Sequence, residues 1–256
     1  MKRFLLTSAM LVVLIPLAPA NAADVSDATP VQAMAPLSVY RWTGLYGGVN
    51  GGLVSGNAAI SWSAPGLGFR TTAAEDVNAS SPGHVNTTGF TGGGQLGYNR
   101  QIQSILLGAE ADVGYTGISG SRSFFSIRYH NPYAQTIDSK WLTTFRGRFG
   151  FVDGTWLGYA TGGLAVANVS STDRFIGEHG VGPVNGSADQ ARAGWTAGVG
   201  VERAFGPRWT GRLEYLHVGL GATTDMAIGT IKPAVINHDH SLTEDIVRAA
   251  IDLRFD

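Results

Sequence analysis

Six histidines, and acids and bases set at alternate positions, carry whatever chemistry this chain has to offer. His238-Asp239-His240 flanks a carboxylate with two imidazoles. Imidazole is a common ligand of haem iron and of divalent metals, so His238 and His240 are the candidate haem or metal site. A lone His-Asp-His is not a specific ligand spacing, and the other histidines (His84, His130, His179 and His217) are scattered. Polar residues also gather in loops merely to be hydrated, so both readings stay open. Asp239 is the sole candidate for a hydrolase or acyltransferase centre, and no P-loop, HExxH or nucleophile elbow accompanies it. No catalytic residue and no resident metal is therefore assigned. Gly92-Gly93-Gly94-Gln95-Leu96-Gly97 satisfies GxGxxG. That fingerprint needs a following helix inside a βαβ unit, and here it leads from one strand pattern into another.

The second constellation is a set of charges. Glu110, Asp112, Arg146, Arg148, Glu202, Arg212, Glu214, Arg248, Asp252 and Arg254 fall in stretches that alternate with period two. Trp141, Thr143, Phe145, Gly147, Phe149 and Phe151 interleave with Leu142, Thr144, Arg146, Arg148 and Gly150. A strand puts such sets on opposite faces, and a helix would mix them. The five arginines and five carboxylates cancel. That balance suits a closed interior, where an unpaired charge costs several kcal/mol, better than a wet pore. Glu110 with Arg146, and Glu202 with Arg212, are expected to pair across neighbouring strands. A gated ion path through the same charges is the alternative.

The same period gives eight strands, at roughly 44–54, 90–100, 103–115, 139–151, 156–168, 193–205, 208–219 and 244–255. Tight turns join the second to the third, the fourth to the fifth and the sixth to the seventh, with Asp153-Gly154 and Gly206-Pro207 as turn pairs. The other four connections are expected to be long loops of about 20–35 residues. Short and long connections on alternate ends describe an all-β, up-and-down antiparallel barrel of the outer-membrane kind, with short periplasmic turns and long extracellular loops. A soluble barrel would instead hide its apolar face inside. Aromatics decide between the two. Trp42, Tyr98, Phe151, Phe205, Trp209 and Phe255 lie at the short-turn end of the apolar face. Phe90, Tyr115, Trp141 and Trp195 lie at its loop end. Trp141 and Phe151, like Trp195 and Phe205, stand ten residues apart. On a strand tilted near 45°, that spans roughly 23 Å, close to the ~25 Å apolar band between two aromatic girdles.

Composition agrees. Among 256 residues, 14% are charged, glycine numbers 36 and cysteine is absent. No disulfide, zinc–thiolate site or thiol nucleophile is available. Eighteen basic and 19 acidic residues give no general attraction to nucleic acid. Residues 1–22 read as a signal peptide: Lys2 and Arg3, an apolar run to Leu17, then Ala20-Asn21-Ala22. Residues 23–40, rich in Ala and Pro, read as a flexible periplasmic leader, and 41–256 as the barrel domain.

Several segments carry a resemblance. Tyr40-Arg41-Trp42-Thr43-Gly44-Leu45-Tyr46-Gly47-Gly48-Val49-Asn50-Gly51-Gly52 resembles the opening strand of the small, immunogenic, porin-like outer-membrane β-barrels of alphaproteobacteria. The resemblance recurs at Arg146-Gly147-Arg148-Phe149-Gly150, at Tyr159-Ala160-Thr161-Gly162-Gly163-Leu164-Ala165, at Gly194-Trp195-Thr196-Ala197-Gly198 and at Leu213-Glu214-Tyr215-Leu216. It implies a surface protein of the Gram-negative outer membrane that contacts lipid, lipopolysaccharide or host factors. It also implies hemin binding in some relatives, and insertion by machinery that reads the last strand. The family's terminal Phe is here Phe255, followed by Asp256. The expected function is a structural, surface-interacting barrel with a mostly plugged lumen and loops that present a binding surface. A hemin receptor or a small pore is the alternative.

Overall fold

The computed structural model describes residues 40–63, 79–80, 83–125, 132–177, 182–228 and 235–255. The proposed signal peptide and all of the leader but Tyr40 lie outside them. Eight strands follow one another: β1 (Gly44–Ser63), β2 (His84–Ile102), β3 (Ile105–Phe125), β4 (Pro132–Asp153), β5 (Trp156–Gly177), β6 (Gly182–Ala204), β7 (Trp209–Ile228) and β8 (Val235–Phe255). Each pairs antiparallel with the next, and β1 pairs with β8, so the sheet closes. Closure removes the unpaired edges that an open sheet of this size would expose.

The alternation of residue types becomes an inside and an outside. Phe145, Phe149, Val199, Leu213, Val247 and Ile251 point outward and are exposed. Arg146, Arg148, Glu202, Arg212, Glu214 and Arg248 point inward and are buried. An apolar outer wall with a polar interior is the inverse of a water-soluble fold.

The strands are longer than the sequence pattern indicates. Each runs 19 to 23 residues, about twice the length of its apolar-outside stretch. Three of the four connections expected to be long loops are largely strand: β3 and β4 are separated only by residues 126–131, β5 and β6 by 178–181, and β7 and β8 by 229–234. Phe124 and Phe125, expected in a loop, end β3. Many outward residues of these extensions are small and polar, such as Ser55, Asn57, Asn86, Thr88, Ser119 and Ser121, so the outer wall carries no sustained apolar alternation to read. Backbone pairing continues regardless, because an interior apolar layer holds the extensions together. Val54, Val85, Ile118, Ile137, Val169, Leu216, Val218 and Leu242 form it. Register shifts fall at Tyr115/Ile118, Ser139/Leu142 and Leu220/Thr223, beside the loop-end aromatics. They are bulges that bend the wall where its outer surface changes character.

Candidate functional site: the barrel interior

Three layers stack inside the barrel. At the short-turn end Trp42, Leu106, Leu157, Tyr159 and Ala204 make a small apolar cluster, with Tyr40 packed edge-on to Trp42. The charges lie above it. The apolar layer of the extensions lies above the charges.

The charged layer is built by residues that face each other across the lumen, not only by strand neighbours. Arg146 on β4 bonds Glu110, its register partner on β3. It also reaches Asp112 at 2.8 Å and, across the barrel, Glu214 on β7 at 3.0 Å. Arg248 on β8 closes the same group, 2.7 Å from Glu214 and 3.2 Å from Asp112. Arg212 bonds Glu110 and lies 3.4 Å from Asp252. Arg148 holds Glu202 at 2.7 Å. Four guanidiniums and five carboxylates are thus linked, and every guanidinium touches at least one acid.

Two tyrosines that the reading of the charges passed over complete the layer. Tyr46 donates to Glu110 at 2.6 Å and accepts from Arg148 at 2.7 Å. Tyr159 donates to Glu214 at 2.9 Å, and its ring lies 4.0 Å beneath the Arg148 guanidinium. A desolvated cation over an aromatic face contributes about 2 kcal/mol. Strand parity alone places Tyr46 inside, two residues before Gly48 and four before Asn50. That signal was available in the sequence. Neutral donors continue the layer: Gln95 donates to Asp252 at 2.7 Å, Thr144 to Asp112 at 2.7 Å and Thr210 to Glu202 at 2.6 Å. Tyr46 fits because its register partner is Gly97. A Cβ there would stand 2.3 Å from the Tyr46 hydroxyl oxygen.

Three expectations need correction. Glu202 and Arg212 are register partners but do not pair. Glu202 turns to Arg148 and Thr210, while Arg212 reaches across to Glu110. Long side chains choose partners over the whole cross-section. Arg254 is not buried with the other four arginines of the set. It sits half-exposed at the short-turn mouth, over the Tyr40 ring and bonded to the Arg41 carbonyl. Trp42 is not in the outer girdle: it is 3% exposed, and its indole N–H donates to the Gly154 carbonyl at 3.4 Å. It precedes β1, so strand alternation does not set its direction. The remaining aromatics (Phe90, Tyr98, Tyr115, Trp141, Phe151, Trp195, Phe205, Trp209 and Phe255) are exposed on the outer wall, joined at the short-turn end by Trp156. The side chains of His238 and His240 lie outside the described residues, and only their backbone pairing in β8 is defined.

The family described as outer membrane protein beta-barrel domain matches residues 10–238. The chain belongs to this family of outer-membrane β-barrels. The 31 kDa outer-membrane immunogenic protein of Brucella melitensis is 34% identical over 205 residues, covering 79% of this chain and 81% of that protein. The 22 kDa outer membrane protein of Rhizobium leguminosarum is 33% identical over 132 residues, 52% of this chain and 53% of the relative. The 25 kDa outer-membrane immunogenic protein of Brucella abortus is 26% identical over 229 residues, 87% of each. Among solved structures, outer membrane protein OprG of Pseudomonas aeruginosa aligns with a TM-score of 0.51 at 8% identity, over 84% of this chain and 99% of that one. The outer membrane protease OmpT of Escherichia coli aligns at 0.50 and 9%, over 83% and 97%. These two likenesses show the fold alone.

The outer-membrane barrel therefore has its apolar wall in lipid and its short turns toward the periplasm. On β8 the lipid-facing run is Val247–Phe255, and Asp245 lies beyond it. Glu244 also lies beyond it, wholly buried inside the outer apolar layer. Neither of its carboxylate oxygens makes a hydrogen bond of good geometry. Burial pushes this carboxyl up to about 7, and the Ser139 hydroxyl draws it back only in part.

Proposed function

We propose that this outer-membrane barrel is a non-catalytic, surface-interacting scaffold whose lumen is sealed. The observation that carries the reading is the stacking of the interior: an apolar cluster at the periplasmic mouth, a cross-linked charged layer, and an apolar layer beyond the membrane. Water or an ion passing through would have to part guanidinium–carboxylate bonds at Glu110, Glu202 and Glu214. Breaking a buried pair costs roughly 3–5 kcal/mol. An open pore would present charges to water, not to one another. With the lumen closed, the parts left to meet other molecules are the outer wall of the strand extensions and the connections at their tips. The name "immunogenic" borne by the Brucella relatives is consistent with a surface seen by other cells.

Planar-bilayer recording of the full chain tests this. The sealed scaffold gives no stable current steps, and the Arg146→Ala, Arg148→Ala double variant gives steps or leak. Steady ohmic steps from the wild type, unchanged in the double variant, would make the small-pore reading correct and this one wrong.

A further inference from the structure

On the outer wall of β6, β7 and β8 the lipid-facing run ends in an organised polar cluster. Below it stand Leu213 and Val247, both exposed to lipid. At the boundary His217 and Asp245 are register partners. The Asp245 Oδ1 atom accepts from the Tyr215 hydroxyl at 2.6 Å and meets His217 Nδ1 at 2.7 Å. Its Oδ2 atom accepts from none of the described residues. Half of the Asp245 side chain and a third of His217 are exposed. The Trp195 ring lies 5.3 Å from His217, centre to centre. That indole lies against the bare backbone of its register partner Gly219, where a Cβ would come within 2.7 Å of Nε1. About half of Trp195 is nevertheless exposed, so indole surface is left to meet a ligand. Phe90, Tyr115 and Trp141 stand at the same level, but among the described residues none has such an acid–imidazole–phenol chain beside it.

We propose that Trp195, His217, Asp245 and Tyr215 form a binding site for a sugar ring in the headgroup of an outer-leaflet glycolipid. An indole face is the electron-rich side of the ring and suits the weakly positive C–H face of a pyranose. A carboxylate oxygen accepts from sugar hydroxyls or an acylated amine. Tyr215 and His217 hold that carboxylate in place, so little ordering is left to binding. The formal charge fixed in the cluster is negative, which disfavours a phosphate. Its place at the end of the hydrocarbon band selects a lipid-borne sugar over a free one. The site stands whether or not the lumen conducts, so its failure and the failure of the sealed-scaffold reading are separate results.

The test is native mass spectrometry of the full chain, with folding checked by heat-shifted gel mobility. The protein is offered deep-rough lipopolysaccharide or, in a second arm, phosphatidylethanolamine. The wild type retains one lipopolysaccharide. Asp245→Asn weakens retention by at least about tenfold, the loss expected for a hydrogen bond to a charged group, and Trp195→Ala weakens it through the lost stacking surface. Trp141→Ala leaves it unchanged. If Trp195→Ala does not fold, Asp245→Asn and Tyr215→Phe, both conservative changes at exposed positions, carry the test. Equal retention by all folded variants overturns the proposal, as does phosphatidylethanolamine held as tightly as the glycolipid.

Discussion

Arg146 is the side chain on which most of the interior converges: Glu110, Asp112, Glu214 and Thr144 all bond it. Arg146→Ala takes one guanidinium from three buried carboxylates at once, leaving Arg212 and Arg248 to hold them, and is expected to cost roughly 3–5 kcal/mol in a reversible denaturant titration. Arg254→Ala, at the half-exposed periplasmic mouth, is expected to cost less than about 1 kcal/mol. Similar losses for the two would mean that the layer is not the linked unit described. Gly97→Val sets a branched side chain against the Tyr46 ring and is expected to destabilise by about 1–3 kcal/mol. Glu244 is neutral in the folded barrel below about pH 7. Its folded value exceeds its unfolded value, so its proton favours the native state at low pH, and stability falls as pH rises from near 4.5 through about 7. Glu244→Gln removes that dependence and is expected to raise stability at pH 8 relative to wild type. A wild-type denaturation midpoint that is flat across this interval would contradict the assignment. At this scale, the direction of each inward charge was legible from parity. The choice of partner was not, because Arg212 and Glu202 look past each other to residues on distant strands.

The strands were legible where lipid imposes a rule on them. Between the girdles every second residue must be apolar, and Trp141 to Phe151 shows the pattern without ambiguity. Beyond the girdles the outer wall faces water, and small polar and charged residues satisfy it in any order, so the extensions read as loop. Their interior faces did carry a signal. Ile118, Tyr133, Ile137, Val169 and Leu242 sit at alternate positions amid small polar residues. The two regimes predict different tolerance. Phe145→Arg, in the lipid-facing run of β4, is expected to cost roughly 2–4 kcal/mol. Ser121→Arg, on the outer wall of β3, is expected to stay within about 0.5 kcal/mol. Refolding each variant into phospholipid vesicles and comparing denaturation midpoints checks both. A tolerant Phe145 would move the membrane boundary.

At the scale of the whole barrel, the strands run about twice as far as their lipid-facing stretches, so the wall continues beyond the apolar band. Strand number, order and facing followed from the sequence, and the charged layer could be anticipated as a set. The height of the barrel was signalled only by the interior apolar layer, which has no counterpart on the outer wall. The central claim is that this interior is closed to water. The chain has no cysteine, so a single introduced thiol reports without background. Ala165 is wholly buried in the layer above the charges, beside Thr144 in the register. Ser121 is exposed on the outer wall. The folded Ala165→Cys barrel in vesicles is predicted to resist a small, water-soluble maleimide until it is unfolded, while Ser121→Cys reacts at once. Labelling of the folded Ala165→Cys barrel as fast as Ser121→Cys would show a water-filled lumen and contradict the account.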